Sequence, residues 1–216
     1  MATNRKRRRQ LITGLGTTAA AVALGTPGAT AQTAPTPFQP SRYEKDDWFA
    51  TRPGKHRVIL DTVSSAGVAD AIRFANNLFN GSKAGYTVDE RDMAIVVCLR
   101  HRATPHAYVD ALWSKYSRAL DRSDESGSTA PPATVNTYNT GERPQLSELA
   151  KRGVLFMVCA QASRGIAQRA AGPNGNVDAT FKELEANLIS NAHFVATGVV
   201  GVAHAQEHGY SYLYVG

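Results

Sequence analysis

The order of apolar and amphipathic segments after residue 56 is the feature that most constrains the fold of this chain. Five short runs are predominantly apolar, with no helical spacing: Val58–Val63, Met93–Leu99, Val154–Cys159, Phe194–Ala196 and Tyr210–Val215. Between them, apolar residues recur every three to four positions, which is the spacing of one helix face. Apolar strands separated by amphipathic helices form a parallel sheet covered on both faces. The sequence therefore predicts an α/β fold, a three-layer α/β/α domain with a mainly parallel five-stranded sheet.

Local signals also predict where the helices begin and end. Ser64 and Ser65 are capping candidates for a helix whose apolar stripe runs from Val68 to Phe79 and which Gly81 closes. Thr104 followed by Pro105 predicts a cap and the first position of the next helix. Asp178 is expected to cap a later helix.

The N-terminal 31 residues have the composition of an export signal. A basic cluster at residues 5–9 precedes a mildly apolar stretch from Leu11 to Leu24, and Ala29-Thr30-Ala31 matches a small-residue cleavage site. The order Arg-Arg-Gln-Leu-Ile resembles a twin-arginine (Tat) signal. The apolar stretch is shorter than the ~20 residues that span a bilayer. We expect a periplasmic or otherwise exported protein that starts at Gln32 and has no transmembrane span in its mature chain. An ordinary secretory signal and retention as an anchor remain alternatives.

The charge of the chain is concentrated in this same segment. The formal net charge is +6, but the five basic residues of the signal are removed with it. The remainder carries 19 basic and 18 acidic side chains. A nearly neutral body has no general electrostatic attraction for phosphates, so we expect no nucleic-acid partner.

Composition divides the rest of the chain into an arm and one domain. Residues 32–55 contain Pro35, Pro37 and Pro40 and then several aromatic residues, which is typical of an extended tether and an arm that docks on a protein surface. The domain covers residues 56–216. Residues 121–144, rich in Ser, Thr, Asn and Pro, form a long loop of the kind that acts as a lid or a partner arm, or is disordered.

In parallel sheets, ligands bind at the carboxyl ends of the strands. This rule selects four short segments as the candidate site. They are Asp61–Ser65, Arg100–Pro105, Cys159–Arg164 and Thr197–Gly198.

Cys159 is the leading candidate within these segments. It follows a predicted strand and precedes a predicted helix, with Arg164 about one helical turn along. The positive end of a helix and a nearby cation both favour the nucleophilic thiolate by lowering the pKa of a thiol. A buried structural cysteine is the alternative. Cys98, inside the second strand, is expected to pack in the core, and a disulfide with Cys159 stays open.

Histidines provide weaker candidates. His101 directly follows the second strand, where it could transfer a proton, position a ligand or simply hold the loop in place. His106 is expected to be exposed. His204 and His208 match the metalloprotease pattern His-x-x-Glu-His, but no acidic residue follows to serve as the third ligand. We therefore expect no metal site.

The sequence resembles the DsrE/DsrF-like family of sulfur-relay proteins, and its exported branch most closely. The resemblance rests on three segments: Gly153–Gly165 around the cysteine, Leu99–Pro105, and Phe194–Tyr212 near the end of the chain. It implies a three-layer domain that forms oligomers and a cysteine that carries sulfur as a persulfide, a role that falls on Cys159. It implies no cofactor.

Our leading interpretation is an exported protein that handles sulfane sulfur or redox thiols through Cys159, with Arg164 and His101 in supporting roles. Its partners would be a sulfur donor or acceptor protein and further copies of the same chain. The alternative is a non-catalytic binding or assembly subunit of a larger complex, which would use the arm, the long loop and Tyr210, Tyr212 and Tyr214, side chains on one face of the last strand. A periplasmic metal or haem binder using histidines is a third possibility.

Overall fold

A computed structural model describes residues 37–40, 42–139 and 145–216 of the chain. The proposed signal, residues 1–31, lies outside the described residues. Gln39–Gly216 form one compact unit. Its five strands are β1 (His56–Thr62), β2 (Met93–Leu99), β3 (Leu155–Cys159), β4 (Ala192–Val195) and β5 (Ser211–Tyr214).

Seven α-helices connect or flank these strands in the described part of the chain. They are α1 (Trp48–Thr51), α2 (Ser65–Tyr86), α3 (Asp110–Leu120), α4 (Leu146–Lys151), α5 (Ala160–Ala171), α6 (Val177–Ala186) and α7 (Gly198–Glu207). A seven-residue 3₁₀ segment, His101–Ala107, lies between β2 and α3.

All five strands are parallel, in the order β4-β3-β2-β1-β5. Every residue of β2 is buried, because β2 is the central strand and both of its faces are covered. Leu60 and Val97 pack with α2 and α4 on one face, whereas Ile59 and Val96 pack with α1 and α7 on the other. The predicted three-layer α/β/α fold is confirmed, and the sheet is entirely parallel.

Several helix boundaries differ from the sequence prediction. Ser64 caps α2 as expected, with its Oγ accepting a hydrogen bond from the Gly67 amide at 2.9 Å. The helix does not stop at Gly81 but continues to Tyr86, and Thr87 ends it in the left-handed region with φ 57°. The cap of α6 is Asn176 rather than Asp178, because the Asn176 side chain accepts from the Ala179 amide at 3.0 Å.

The prediction for Thr104 and Pro105 was wrong. Pro105 lies inside the 3₁₀ segment, and α3 begins only at Asp110. Thr104 is fully buried and its hydroxyl donates to the Leu99 carbonyl at 3.3 Å, so it closes the turn after β2 instead of capping a helix. The same segment buries His106, which sequence reasoning placed at the surface.

The long loop is packed against the domain over its described part, residues 121–139. Asn136 is fully buried, and its side-chain amide donates to the carbonyls of His106 and Tyr108 at 2.8 and 3.0 Å. The Asp121 carboxylate accepts from the amides of Ser123 and Ala133. These contacts hold this part of the loop on the domain as a fixed cover.

The end of the arm is also part of the folded body. Phe49 in α1 is fully buried, and its carbonyl accepts hydrogen bonds from Arg57 and Tyr210 at 2.8 and 3.2 Å. The packed body therefore begins before His56, at α1. No helix among the described residues is both long enough and apolar enough to cross a membrane.

Two glycines of α2 predict opposite effects of the same substitution. A Cβ on Gly67 would overlap the carbonyl oxygen of Gly216 and lie 2.8 Å from that of Val215, so Gly67→Ala should destabilise the protein by about 1–3 kcal/mol. A Cβ on Gly81 meets no atom within 4 Å. Gly81→Ala should therefore stabilise it by about 0.5–1 kcal/mol.

Urea titration of the two variants measures this difference. A destabilising Gly81→Ala would show that α2 does not continue through residue 81. A neutral Gly67→Ala would show that the C-terminus does not pack over the start of α2.

Candidate active site

Polar and sulfur-bearing side chains from several strands meet at the carboxyl edge of the sheet. Asp61 lies near the end of β1, Arg100 directly follows β2, and Cys159 ends β3. Gly198 begins α7 just beyond β4, and Tyr212 lies in β5. Parallel strands end at one edge, which is why residues so distant in sequence are neighbours here.

Cys159 occupies the position that the sequence predicted, at the junction of β3 and α5. It is the N-cap residue of α5, and its Sγ accepts a hydrogen bond from the Ala162 amide at 3.4 Å. About 8% of its surface is exposed. The first turn of α5 contains no acidic residue, and the sulfur lies at the positive end of this helix.

Hydrogen bonds from two buried side chains hold the backbone of Cys159 in place. The Ser163 hydroxyl donates to the Cys159 carbonyl at 2.9 Å, and the Tyr108 hydroxyl donates to Ser163 Oγ at 2.6 Å. Ser163 and Tyr108 are both fully buried, and burial raises the pKa of Tyr108, so its hydroxyl stays a proton donor. This chain of hydrogen bonds sets the position of the sulfur at the sheet edge.

Arg164 and His101 are the two residues that the sequence suggested as supporting Cys159, and their surroundings differ from each other. Arg164 forms an ion pair with Asp178 at 2.5 Å and its guanidinium lies 5.5 Å from the centre of the Phe181 ring. Its observed contacts are therefore with α6, and the group that contacts the thiol is the helix amide. His101 is exposed at the start of the 3₁₀ segment, in a left-handed conformation with φ 54°.

A buried ion pair at the same edge was missed from the sequence. Arg100 donates to both oxygens of Asp61, at 2.7 and 2.9 Å, and the Tyr212 hydroxyl donates to Asp61 Oδ2 at 3.0 Å. The Asp61 carboxylate raises the pKa of Arg100, and burial together with that carboxylate raises the pKa of Tyr212. The sequence did contain a signal for this ion pair, namely an acidic residue within one apolar strand and an arginine at the end of another.

Gly198 allows this ion pair to lie against α7. A Cβ on Gly198 would lie only 2.5 Å from Arg100 Cβ, so only glycine fits at the first position of the helix. Thr197 caps the same helix, with its Oγ accepting from the Val200 amide at 3.3 Å. The start of α7 is thus held against the residue that follows β2.

Cys98 lies on the neighbouring strand, but further from the carboxyl edge of the sheet than Cys159. It pairs with Met157, so Cys159 is two residues further toward the edge. Two residues of strand advance about 6.6 Å and adjacent strands lie about 4.8 Å apart, which separates the two Cα atoms by about 8 Å, beyond the reach of a disulfide. Both cysteines are free thiols. Complete burial raises the pKa of Cys98 well above its ordinary value, so this thiol stays protonated.

The two cysteines should respond differently to serine substitution. Cys98 is fully buried and its Sγ makes a weak contact with the Gly198 carbonyl at 4.0 Å, so Cys98→Ser should lower the free energy of unfolding by about 1–3 kcal/mol. Cys159→Ser keeps an acceptor for the Ala162 amide and should change it much less. Urea unfolding of both variants makes the comparison. Equal losses would contradict the distinct environments of the two thiols.

The His-x-x-Glu-His segment at the end of α7 approaches an acidic residue that the sequence did not suggest. Nδ1 of His204 lies 3.6 Å from Oδ2 of Asp46, whose pKa is raised by burial. Within the described ranges, however, no group of three His, Cys, Asp or Glu side chains is arranged to hold a metal ion. Asp46 and His204 form a polar contact between the arm and α7.

The chain matches no family model, and no curated protein sequence is significantly similar to it. The chemistry of the site is therefore inferred from its own geometry, and the DsrE-like resemblance stays a prediction.

Proposed function

We propose that this chain is an exported DsrE-like protein that carries sulfane sulfur on Cys159. The observation that supports the proposal is the position of Cys159 at the edge of the sheet, with its sulfur in contact with the N-terminus of α5 and about 8% of the residue exposed. A thiolate is the nucleophilic form of cysteine, and a helix N-terminus favours it.

The proposed step transfers one sulfur atom without net oxidation. The Cys159 thiolate attacks the outer sulfur of a donor persulfide, R–S–SH. The S–S bond of the donor breaks as the S–S bond to Cys159 forms, giving Cys159–S–SH and the donor thiolate R–S⁻. His101, exposed at the same edge of the sheet, is the proposed proton donor to that thiolate. We assign stabilisation of the Cys159 anion to the helix rather than to Arg164, because Arg164 is paired with Asp178.

Incubation with glutathione persulfide tests the proposal. We expect the peptide that contains Cys159 to gain about 32 Da, the mass of one sulfur atom, and to lose it on reduction. The peptide that contains Cys98 should stay unmodified, and Cys159→Ser should abolish the adduct. No adduct on Cys159, or equal adducts on both cysteines, would refute sulfur carriage.

Export is part of the same proposal. The basic cluster, the short apolar stretch and the Ala-Thr-Ala sequence support removal of residues 1–31. Intact-mass analysis of protein from the periplasm or culture medium should give a chain that begins at Gln32. Retention of residues 1–31 in that material would contradict cleavage.

A binding or assembly subunit is the second candidate, and a surface observation favours it. Among the described residues, β5 is an edge strand, and large apolar side chains are exposed along it and at the start of α7. These side chains are Val199, Val200, Tyr212, Leu213 and Tyr214. Tyr210, which the sequence suggested as a third docking tyrosine, is instead buried against Phe49 and is not part of this surface.

Light scattering after size exclusion tests this second candidate. A charge on the edge strand, Tyr214→Lys, should dissociate an assembly that uses this surface, because it places a cation in an apolar contact. Tyr86→Lys, at a tyrosine on α2 that is 82% exposed against 55% for Tyr214, is the control. A monomer with and without the Tyr214 substitution would refute an assembly of identical chains through this strand.

A further inference from the structure

The described part of the loop after α3, residues 121–139, covers a buried histidine and buries little surface of its own. We call this segment the cover. Among its described side chains only that of Asn136 is fully buried, and residues 125–131 are all exposed. A cavity of about 480 Å³ lies between part of the cover and the domain. Segments with few buried apolar contacts open at a low free-energy cost, so the cover can be released while the sheet stays folded.

Asn136 makes the contacts that hold the cover on the domain. Its side-chain amide donates to the carbonyls of His106 and Tyr108 at 2.8 and 3.0 Å. Its backbone amide donates to Asp110 Oδ1 at 2.8 Å. All of these acceptors belong to one short stretch of chain, residues 106–110, so the cover is latched at a single place.

His106 is enclosed between the cover and α3. Its ring stacks on Trp113 with 5.3 Å between ring centres, and Tyr138 meets it edge-on at 4.7 Å. Only 4% of the residue is exposed. Because both donated N–H groups of Asn136 go to carbonyls, its Oδ1 accepts from His106 Nδ1 at 3.3 Å. The proton of the neutral ring is therefore on Nδ1.

The other ring nitrogen cannot take up a proton without cost in this closed state. Within the described part of the chain, His106 Nε2 is buried and has no hydrogen-bond partner. Protonation there creates a charged N–H group with no acceptor, which destabilises the state that buries it. Burial accordingly lowers the pKa of His106 to about 4.

The charged groups around the cover do not offset this cost. They are Asp110, Asp121, Glu125, Arg102 and Arg122. The charge of Asp121 favours a protonated ring, but its carboxylate accepts hydrogen bonds from the amides of Ser123 and Ala133. Both arginines pair with Glu125. From α2, only Ser64 and Ser65 line the cavity, and neither is charged.

We propose that residues 121–139 form an acid-released cover, in which protonation of His106 favours an open state where water reaches the ring. The proton comes from solvent, and the Asn136 contacts break as the cover leaves the domain. This switch is independent of sulfur transfer at Cys159, and a failure of either proposal leaves the other standing.

The direction and size of the pH effect follow from the two states of the ring. The closed ring takes up a proton near pH 4, whereas a ring in contact with water has the ordinary pKa of 6.5. Between these values the open state binds more protons, so acid favours opening. From pH 7 to pH 5 the equilibrium constant for opening should rise about twentyfold.

Hydrogen–deuterium exchange of the full chain measures this change, once labelling times are corrected for the pH dependence of intrinsic exchange. Protection of peptides from the cover should fall about twentyfold between pH 7 and pH 5. Peptides from β2, the central strand, should keep their protection. No fall in the cover, or an equal fall in β2 through unfolding of the whole domain, would overturn the proposal.

The carboxylates of the cover should stay ionised over this pH range. Against the effect of burial, hydrogen bonds from backbone amides hold the pKa of Asp121 below its ordinary value. The hydrogen bond from Arg122 lowers the pKa of Glu125. A change between pH 7 and pH 5 therefore reports on a histidine.

His106→Phe keeps an aromatic ring between Trp113 and Tyr138 but removes the titrating group. Its cover should have the same protection at pH 7 and pH 5. His56→Gln, at an exposed histidine of β1, is the control and should retain the twentyfold fall. A fall of the same size in folded His106→Phe, or its loss in His56→Gln, would overturn the role of His106.

Asn136→Ala tests the latch separately, because it removes the side-chain hydrogen bonds to residues 106 and 108. Protection of the cover at pH 7 should drop at least about tenfold. Unchanged protection in this variant would contradict a latch at Asn136. If circular dichroism shows that His106→Phe does not fold, the pH series of the natural chain and Asn136→Ala decide the proposal.

Discussion

Replacing Arg100 with methionine should lower the free energy of unfolding by about 3 kcal/mol. The Arg100 guanidinium donates two hydrogen bonds to the Asp61 carboxylate, and the side chains of Arg100 and Asp61 are only 24% and 2% exposed. Methionine preserves most of the apolar length of the side chain but leaves the buried carboxylate without its cation. Chemical denaturation of the variant measures the loss.

Arg91→Met is the matched control for this effect. Arg91 and Asp89 form a longer ion pair of 3.4 Å at the surface, with side chains 83% and 54% exposed. Water and salt screen such pairs, so the expected change is less than about 0.5 kcal/mol. The double substitution Asp61→Asn with Arg100→Met should recover part of the loss, because it removes the unpaired charge. Similar losses in Arg100→Met and Arg91→Met would contradict a buried ion pair at the sheet edge.

Replacing Phe49 with alanine should cost about 3–5 kcal/mol, although this residue belongs to the segment that looks like a tether in the sequence. The Phe49 side chain is fully buried and contacts Trp48, His208 and Tyr210. Removing the ring leaves a cavity between α1 and the face of the sheet that carries α7. Thermal and urea unfolding both report the loss.

Phe38→Ala provides the control, because Phe38 is 71% exposed and its truncation should have little effect. A large difference between the two variants would show that the packed body includes α1. If Phe49→Ala is as mild as Phe38→Ala, the arm is a dispensable tether, as the proline content of residues 32–55 first indicated.

The sequence predicted the layers of the fold because burial leaves a strong periodic signal. β2 is apolar at every position and its bounds, Met93–Leu99, were predicted without error. The junction of β3 and α5 at Cys159 was equally clear, since an apolar run ends where helical spacing begins. The end of α2 was missed because glycine weakens a helix without ending it, and the helix continues past Gly81 until Thr87 adopts the left-handed conformation.

The rest of the site depends on tertiary contacts that no local pattern records. Asp61 and Arg100 are 39 residues apart and become partners only because β1 and β2 are adjacent and in register. Arg164 is close to Cys159 along the chain, but its ion pair with Asp178 directs it to α6. His106 was expected at the surface because a cap was assumed at Thr104, whereas the loop after α3 folds over it and supplies Asn136.

We propose that Cys159 is the reactive thiol, whereas Cys98 is a structural one. Timed iodoacetamide labelling of the reduced full-length protein near neutral pH, followed peptide by peptide, tests it most directly. Cys159 lies at a helix N-terminus with about 8% of its surface exposed, against none for Cys98, and should label while the protein is folded. Cys98 is fully buried with a raised pKa and should label only after unfolding in urea. Faster labelling of Cys98, or no labelling of Cys159 until the protein unfolds, would contradict a reactive Cys159.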